Sequence, residues 1–250
     1  MSLVKTAIKF AVKTPKVEEF ERYLFVGPHP DDIEIGAGAT IHKLAKEHKS
    51  ITFLICTDGR FGDGASMGIK GDALSLLRRE ECIKSAERLG VKDVRFLNLM
   101  DGANYRYEDL LQGLAEVITE VDADIVFGPD PLSKSECHLD HLNVGNAVKN
   151  VCCFAPYESL MLEKFKVAGA PVKAIALYMT DRPNRFVKVK GHLKAQLASI
   201  FECHKSQYPE GSGEASALKL YLKLRYFQYG KREGFRVYSQ THMHCLPEAK

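Results

Sequence analysis

Four short apolar runs, residues 23–27, 51–56, 94–97 and 125–128, are rich in β-branched and aromatic residues, and three stretches of helical periodicity, residues 36–48, 74–89 and 107–121, separate them. Parallel neighbours in a sheet need crossover connections of about a dozen residues or more, and each of these stretches is long enough to supply one. The spacing therefore predicts an α/β, Rossmann-like fold: a mostly parallel sheet with helices on both faces. Past residue 150, residues 172–179 read as a further strand, 190–204 and 215–229 as helices, and 235–238 as a short last strand. These extend the same domain as a C-terminal extension, because the Pro-Glu-Gly-Ser-Gly segment at 209–213 is too short to link an independent core. The expected organisation is an N-terminal extension over residues 1–20 and one domain over 21–250.

A chain of 250 residues, 45% hydrophobic, can bury such a core without disulfides or metal staples. Its 35 basic and 32 acidic residues leave a net charge of +3, scattered along the sequence, so no nucleic-acid footprint is expected. Seven cysteines, an odd number with no Cys-x-x-Cys pair, fit a reducing compartment and a cytoplasmic location. Lys5, Lys9 and Lys13 interrupt the apolar residues of the extension, which is read as docking on its own body or on a neighbouring subunit and leaves a homo-oligomer open. No apolar run reaches the roughly 18 residues of a membrane-spanning helix.

Open α/β sheets bind ligands beyond the carboxyl ends of their strands, and the polar clusters lie there. The first run ends in Gly27-Pro28-His29-Pro30-Asp31-Asp32, and the fourth leads past Asp130 to His138-Leu139-Asp140-His141. Each cluster has a plain reading by itself: Asp31 or Asp32 capping the helix that follows, and Asp140 opening a helix over 142–151 beside two surface histidines. Together, on strands adjacent where the strand order reverses, His29, Asp32 and His141 form a two-histidine, one-carboxylate set suited to zinc with a position left for water. Asp31, His138 and Asp140 remain for proton work. No Gly-x-Gly-x-x-Gly follows the first strand, and aspartates at a helix entrance repel a pyrophosphate. His242-Met243-His244-Cys245 lacks a third ligand at a readable spacing, and the aromatic stretch 221–229 reads as a core or subunit face.

At these residues the sequence resembles the LmbE-like, or PIG-L, family of zinc-dependent N-deacetylases, whose signatures are His-Pro-Asp-Asp after the first strand and a later His-x-Asp-His. The likeness continues through Thr57-Asp58-Gly59, Arg78-Arg79-Glu80-Glu81, Leu89-Gly90, Asp101-Gly102 and His204-Lys205-Ser206-Gln207. The resemblance implies zinc on His29, Asp32 and His141, with Asp31 as general base. It implies that His138, its charge favoured by Asp140, faces the developing oxyanion, and that Arg78 and Asp101 contact the sugar of an N-acetylglucosaminyl small molecule or glycan. Other divalent ions suit the same donors. An amidase acting on another N-acyl compound, or a noncatalytic sugar- or nucleotide-binding module, are the alternatives. The chain departs from the family pattern at Pro28, in place of Ala, at Leu139, in place of Pro, and at Arg60, where Glu commonly follows Thr-Asp-Gly; these departures bear on substrate preference.

Overall fold

Tyr23 and Phe25 pack on one side of the first strand and Leu24 and Val26 on the other, all four at most 2% exposed. Burial on both faces is what a helix-covered sheet requires. The computed structural model describes residues 11–62, 64 and 68–245. In chain order the elements are β1 (Arg22–Gly27), α1 (Asp32–Lys46), β2 (Ser50–Thr57), α2 (Gly71–Leu89), β3 (Asp93–Leu99), α3 (Tyr107–Glu120), β4 (Ile125–Pro129), α4 (Leu139–Phe154) and α5 (Glu158–Phe165). They continue with β5 (Ala174–Tyr178), β6 (Arg185–Lys188), α6 (Leu193–Ala198), a π turn (Ser199–Cys203), α7 (Gly213–Gln228), β7 (Arg232–Ser239) and α8 (Gln240–Cys245).

The strands form one seven-stranded sheet in the order β3-β2-β1-β4-β5-β7-β6. The pairs from β3 to β5 are parallel, and β7 runs antiparallel to both β5 and β6. The order reverses between β1 and β4, which pair from Tyr23↔Ile125 to Phe25↔Phe127. Their carboxyl ends are thereby neighbours, and both polar clusters emerge there. On one face Ile33, Ile41 and Leu44 of α1 and Cys82, Ala86 and Leu89 of α2 pack on Phe25, Phe53 and Phe127. On the other, Leu110, Leu114 and Ile118 of α3 and Val144, Val148 and Val151 of α4 cover Leu24, Leu54 and Val126.

At the opposite end of the sheet one carboxylate gathers three strands. Asp124, immediately before β4, accepts from the backbone N–H and guanidinium of Arg22 at the start of β1, at 3.1 to 3.3 Å, and from Lys173 Nζ before β5 at 2.9 Å. These cations hold its carboxyl down at about 2 despite the opposing effect of burial.

Several expectations are modified. Short elements α5 and β6 have no counterpart in the sequence reading: β6 buries Val187 alone, and α5 buries only Met161 and Phe165. The helix expected over 190–204 divides into α6 and the π turn. In α7 only Ala215 and Leu222 are buried while Leu220, Leu224 and Phe227 face outward, so the aromatic stretch is mostly not core. Of the N-terminal extension, residues 1–10 lie outside the described residues. Arg185 donates to the carbonyls of Thr14 and Pro15, and Val17 and Phe20 are buried. Among the described residues no helix is long and apolar enough to cross a membrane.

Candidate metal centre and active site

The turn between β1 and α1 delivers His29, Asp31 and Asp32, all buried. Neither aspartate caps α1 with its side chain. Asp32 Oδ2 instead accepts the backbone N–H of His29 at 2.9 Å and lies 3.0 Å from His29 Nδ1 and 3.4 Å from His141 Nε2. His141 comes from the first turn of α4. That helix approaches β4 so closely that a Cβ at Gly145 would collide with the carbonyl of Pro129 and the ring of Pro131, so glycine is required there for His141 to reach Asp32. The helix is capped by His138, not opened by Asp140 as expected: His138 Nδ1 accepts the Asp140 N–H at 3.2 Å.

Each imidazole that faces Asp32 is held from behind by another carboxylate. His29 Nε2 lies 3.1 Å from Asp101 Oδ1, and His141 Nδ1 lies 2.9 Å from Glu136 Oε2. Such pairs fix ring orientation and strengthen the opposite nitrogen as a ligand. Burial opposes positive charge on both rings, yet the carboxylates outweigh it: Asp101, Asp140 and Asp32 raise His29 well above its ordinary pKa, and Asp32 and Glu136 hold His141 up at about 9. Asp32 is correspondingly pushed well below the usual range by His141 and His29, against the effect of its burial. Positive charge is favoured here, whether a proton or a cation carries it.

Donor atoms of His29, Asp32 and His141 lie within 4.8 Å of one another, close enough to hold one metal ion. His29, His138 and Asp140 form a second group of the same compactness, but His138 is exposed, whereas both histidines of the first group are braced from behind by carboxylates. The donor chemistry of the first group fits zinc.

Asp31 sits beside this group, its Oδ1 3.2 Å from the Arg78 guanidinium and its Oδ2 accepting from Tyr208 at 3.0 Å. Arg78 is buried and also donates to the carbonyl of Gly59, whose φ of +65° belongs to the left-handed region. Asp101 is buried too, accepting from the N–H groups of Phe61 and Gly102 besides facing His29. The structure thus places Arg78 and Asp101 behind Asp31 and His29; both carboxylate oxygens of Asp101 and both Nη atoms of Arg78 are engaged with the protein, while the buried Arg78 Nε has no partner. Asp140 accepts from the N–H groups of Gly102 and Ala103, with its carboxylate 3.8 Å from His138 Nδ1. Burial and the neighbouring His29 and His141 lower the pKa of His138, while Asp140 and Asp101 oppose them.

The departures from the family pattern have structural settings. Pro28 contributes its carbonyl, which accepts from both the N–H and the hydroxyl of Thr57. Arg60 is neutralised by Asp58 at 2.7 Å and Asp72 at 3.0 Å, and Leu139 is exposed. In the tail, His242 engages Ser239, while His244 meets Tyr157 and Cys153.

Residues 24–152 match the family described as PIG-L: GlcNAc-PI de-N-acetylase. The chain belongs to the PIG-L family. Among PIG-L relatives, the diacetylchitobiose deacetylase of Thermococcus kodakarensis is 31% identical over 94% of this chain and 87% of its own length. The 1D-myo-inositol 2-acetamido-2-deoxy-alpha-D-glucopyranoside deacetylase of Kineococcus radiotolerans is 34% identical over 68% of this chain, which spans 55% of that protein. In three dimensions the N,N'-diacetylchitobiose deacetylase from Pyrococcus horikoshii, solved with its inhibitor MPG, superposes with a TM-score of 0.84 at 27% identity, covering 99% of this chain and 97% of that one.

Tyr208 and Glu136 are the site residues that sequence reasoning missed. Glu136 was visible as a carboxylate two residues before a histidine of the second motif. Tyr208 directly follows His204-Lys205-Ser206-Gln207, a segment whose support role the structure explains: His204 Nε2 lies 3.1 Å from Glu34 Oε1, Ser206 binds Glu81, and Gln207 donates to the Gly62 carbonyl.

Proposed function

We propose that this chain is a zinc-dependent N-deacetylase that hydrolyses the acetamide of an N-acetylglucosaminyl small molecule or glycan, releasing acetate and an amine. The convergence of His29 Nδ1, Asp32 Oδ2 and His141 Nε2 beside the Asp31 carboxylate carries this reading. When bound, zinc would polarise the acetamide carbonyl and make water acidic enough to lose a proton near neutral pH.

The remaining work falls to side chains. Asp31 accepts the proton of the attacking water. Arg78 and Tyr208 fix the direction of its carboxylate, and burial keeps the Tyr208 hydroxyl protonated well above its ordinary range, reinforced by the charge of Asp31. With Nδ1 occupied by the Asp140 N–H, a neutral His138 carries its hydrogen on Nε2, where it can donate to the oxyanion as the C–N bond weakens. Asp101 and Glu136 keep the two ligand imidazoles in place. The free thiols among the described residues support a reducing, cytoplasmic setting.

The test is acetate release from free, oligomeric and conjugated N-acetylglucosamine compounds, with zinc added and Asp31→Asn as control. Release that the variant abolishes supports the reading. Stoichiometric zinc without release from any member would redirect the search to other acyl amides.

A further inference from the structure

A groove of about 830 Å³ is walled by the last turn of α2, by α6, the π turn and the loop after it, and by α7. None of His29, Asp31, Asp32, His138 and His141 lines it. Tyr208 does, and its hydroxyl is spent on Asp31, so the groove is a second concavity that meets the site only through that ring.

Seven charged side chains line the groove, and five of them are basic. Arg88 is neutralised by Glu202. Lys194, Lys205, Lys219 and Lys223 remain against Glu210 alone, and among the described residues none of the four has an ion-pair partner. Lys219 and Lys223 stand one turn apart on α7, a spacing at which like charges repel, and a bound anion would relieve that repulsion. Between the lysines the wall is apolar: Leu197 and Phe201 line it, with the Phe201 ring 5.6 Å from Lys219 Nζ and edge-on to Tyr208 at 5.8 Å. A single exposed lysine is a solvated surface group, but cations of one sign around a concavity with low-dielectric walls focus a positive potential within it. Lysine binds phosphate as a point charge, and the volume falls within the roughly 300–1,000 Å³ of small-molecule sites. We propose that this groove is a second ligand site, distinct from the acetamide centre, for a small molecule carrying two or more phosphate groups.

Calorimetric titration of the zinc-loaded chain with fructose 1,6-bisphosphate, a weak zinc ligand, tests this. Binding is expected, with an affinity that falls as salt is raised, and fructose itself should not bind. Lys219→Gln/Lys223→Gln, at exposed positions where glutamine suits a helix, should weaken binding by about tenfold or more, and Lys219→Arg/Lys223→Arg should retain most of it. Lys164→Gln/Lys166→Gln removes the same charge at α5, which packs on the opposite face of the sheet, and should leave the affinity within about twofold of wild type. No binding by the wild type at low salt overturns the site. So does an equal loss in the two glutamine variants, since net charge alone then attracts the ligand. A short DNA duplex that displaces the bisphosphate and depends on the same two lysines would replace the small ligand with a nucleic-acid surface. The titration involves no turnover, so its outcome is independent of the deacetylase reading.

Discussion

Tyr208 donates its hydroxyl proton to Asp31 Oδ2 at 3.0 Å across 177 residues of sequence. The proposed base is thus aimed by a group from the far side of the chain. Tyr208→Phe is expected to lower kcat about tenfold, the scale of one lost hydrogen bond to a charged group, with zinc content unchanged. Steady-state kinetics alongside metal analysis checks it, and wild-type kcat would remove Tyr208 from the mechanism.

Asp31→Asn keeps the shape of that carboxylate but cannot accept a proton. Turnover should fall by about 100-fold or more while zinc stays bound. A variant that loses zinc and activity together would make Asp31 a metal ligand instead.

His141→Ala removes one proposed ligand, and stoichiometric zinc should be lost. Asp101→Asn acts one step back, through His29 Nε2, and should weaken zinc affinity by about 10- to 100-fold. Competition with a chromogenic chelator measures both, and an Asp101→Asn affinity equal to wild type would show that the pairing does not tune the site.

The pair Glu34–His204 is fully buried behind α1. Glu34→Leu strands a buried imidazole and should cost about 3–5 kcal/mol in urea unfolding. Replacing both partners with leucine should restore much of that loss; no recovery would mean that the pair stabilises the fold by more than mutual compensation.

Asp124 sets an acid-dependent stability. Its folded pKa of about 2 lies below the ordinary aspartate value of about 3.9, so its contribution is complete above the ordinary value and is lost as pH falls towards the folded one. Asp124→Asn should destabilise the chain by about 1–2 kcal/mol at pH 7, discounted because Arg22 and Lys173 are partly open to water, and the difference should shrink between about pH 4 and pH 2. A difference independent of pH would assign the effect to hydrogen bonding alone.

Strands β1, β2, β4 and β5 were legible because burial on both faces writes itself into the sequence as short continuous apolar runs, β3 because its half-buried residues are still mostly apolar, and the two motifs because each is local. What escaped is either short or distant. Strand β6 offers one buried valine in four residues, below any usable period. The π turn before His204 inserts a bulge that helical spacing does not announce. The pairing of Tyr208 with Asp31, and of Asp101 with His29, depends on where loops return after many residues, and no spacing rule encodes that.

The Asp124 clamp gives β1, β4 and β5 a common origin at the end of the sheet remote from the chemistry. One residue added between Arg22 and His29 would reverse the facing of every strand side chain after it and carry His29 and Asp32 together out of place against His141. Residues added beyond Thr57 or Pro129 leave that phase untouched. Insertions and deletions are therefore tolerable in the rim of the crevice and ruinous in the strands, so members of such a lineage can exchange substrates by loop length while inheriting the reaction intact.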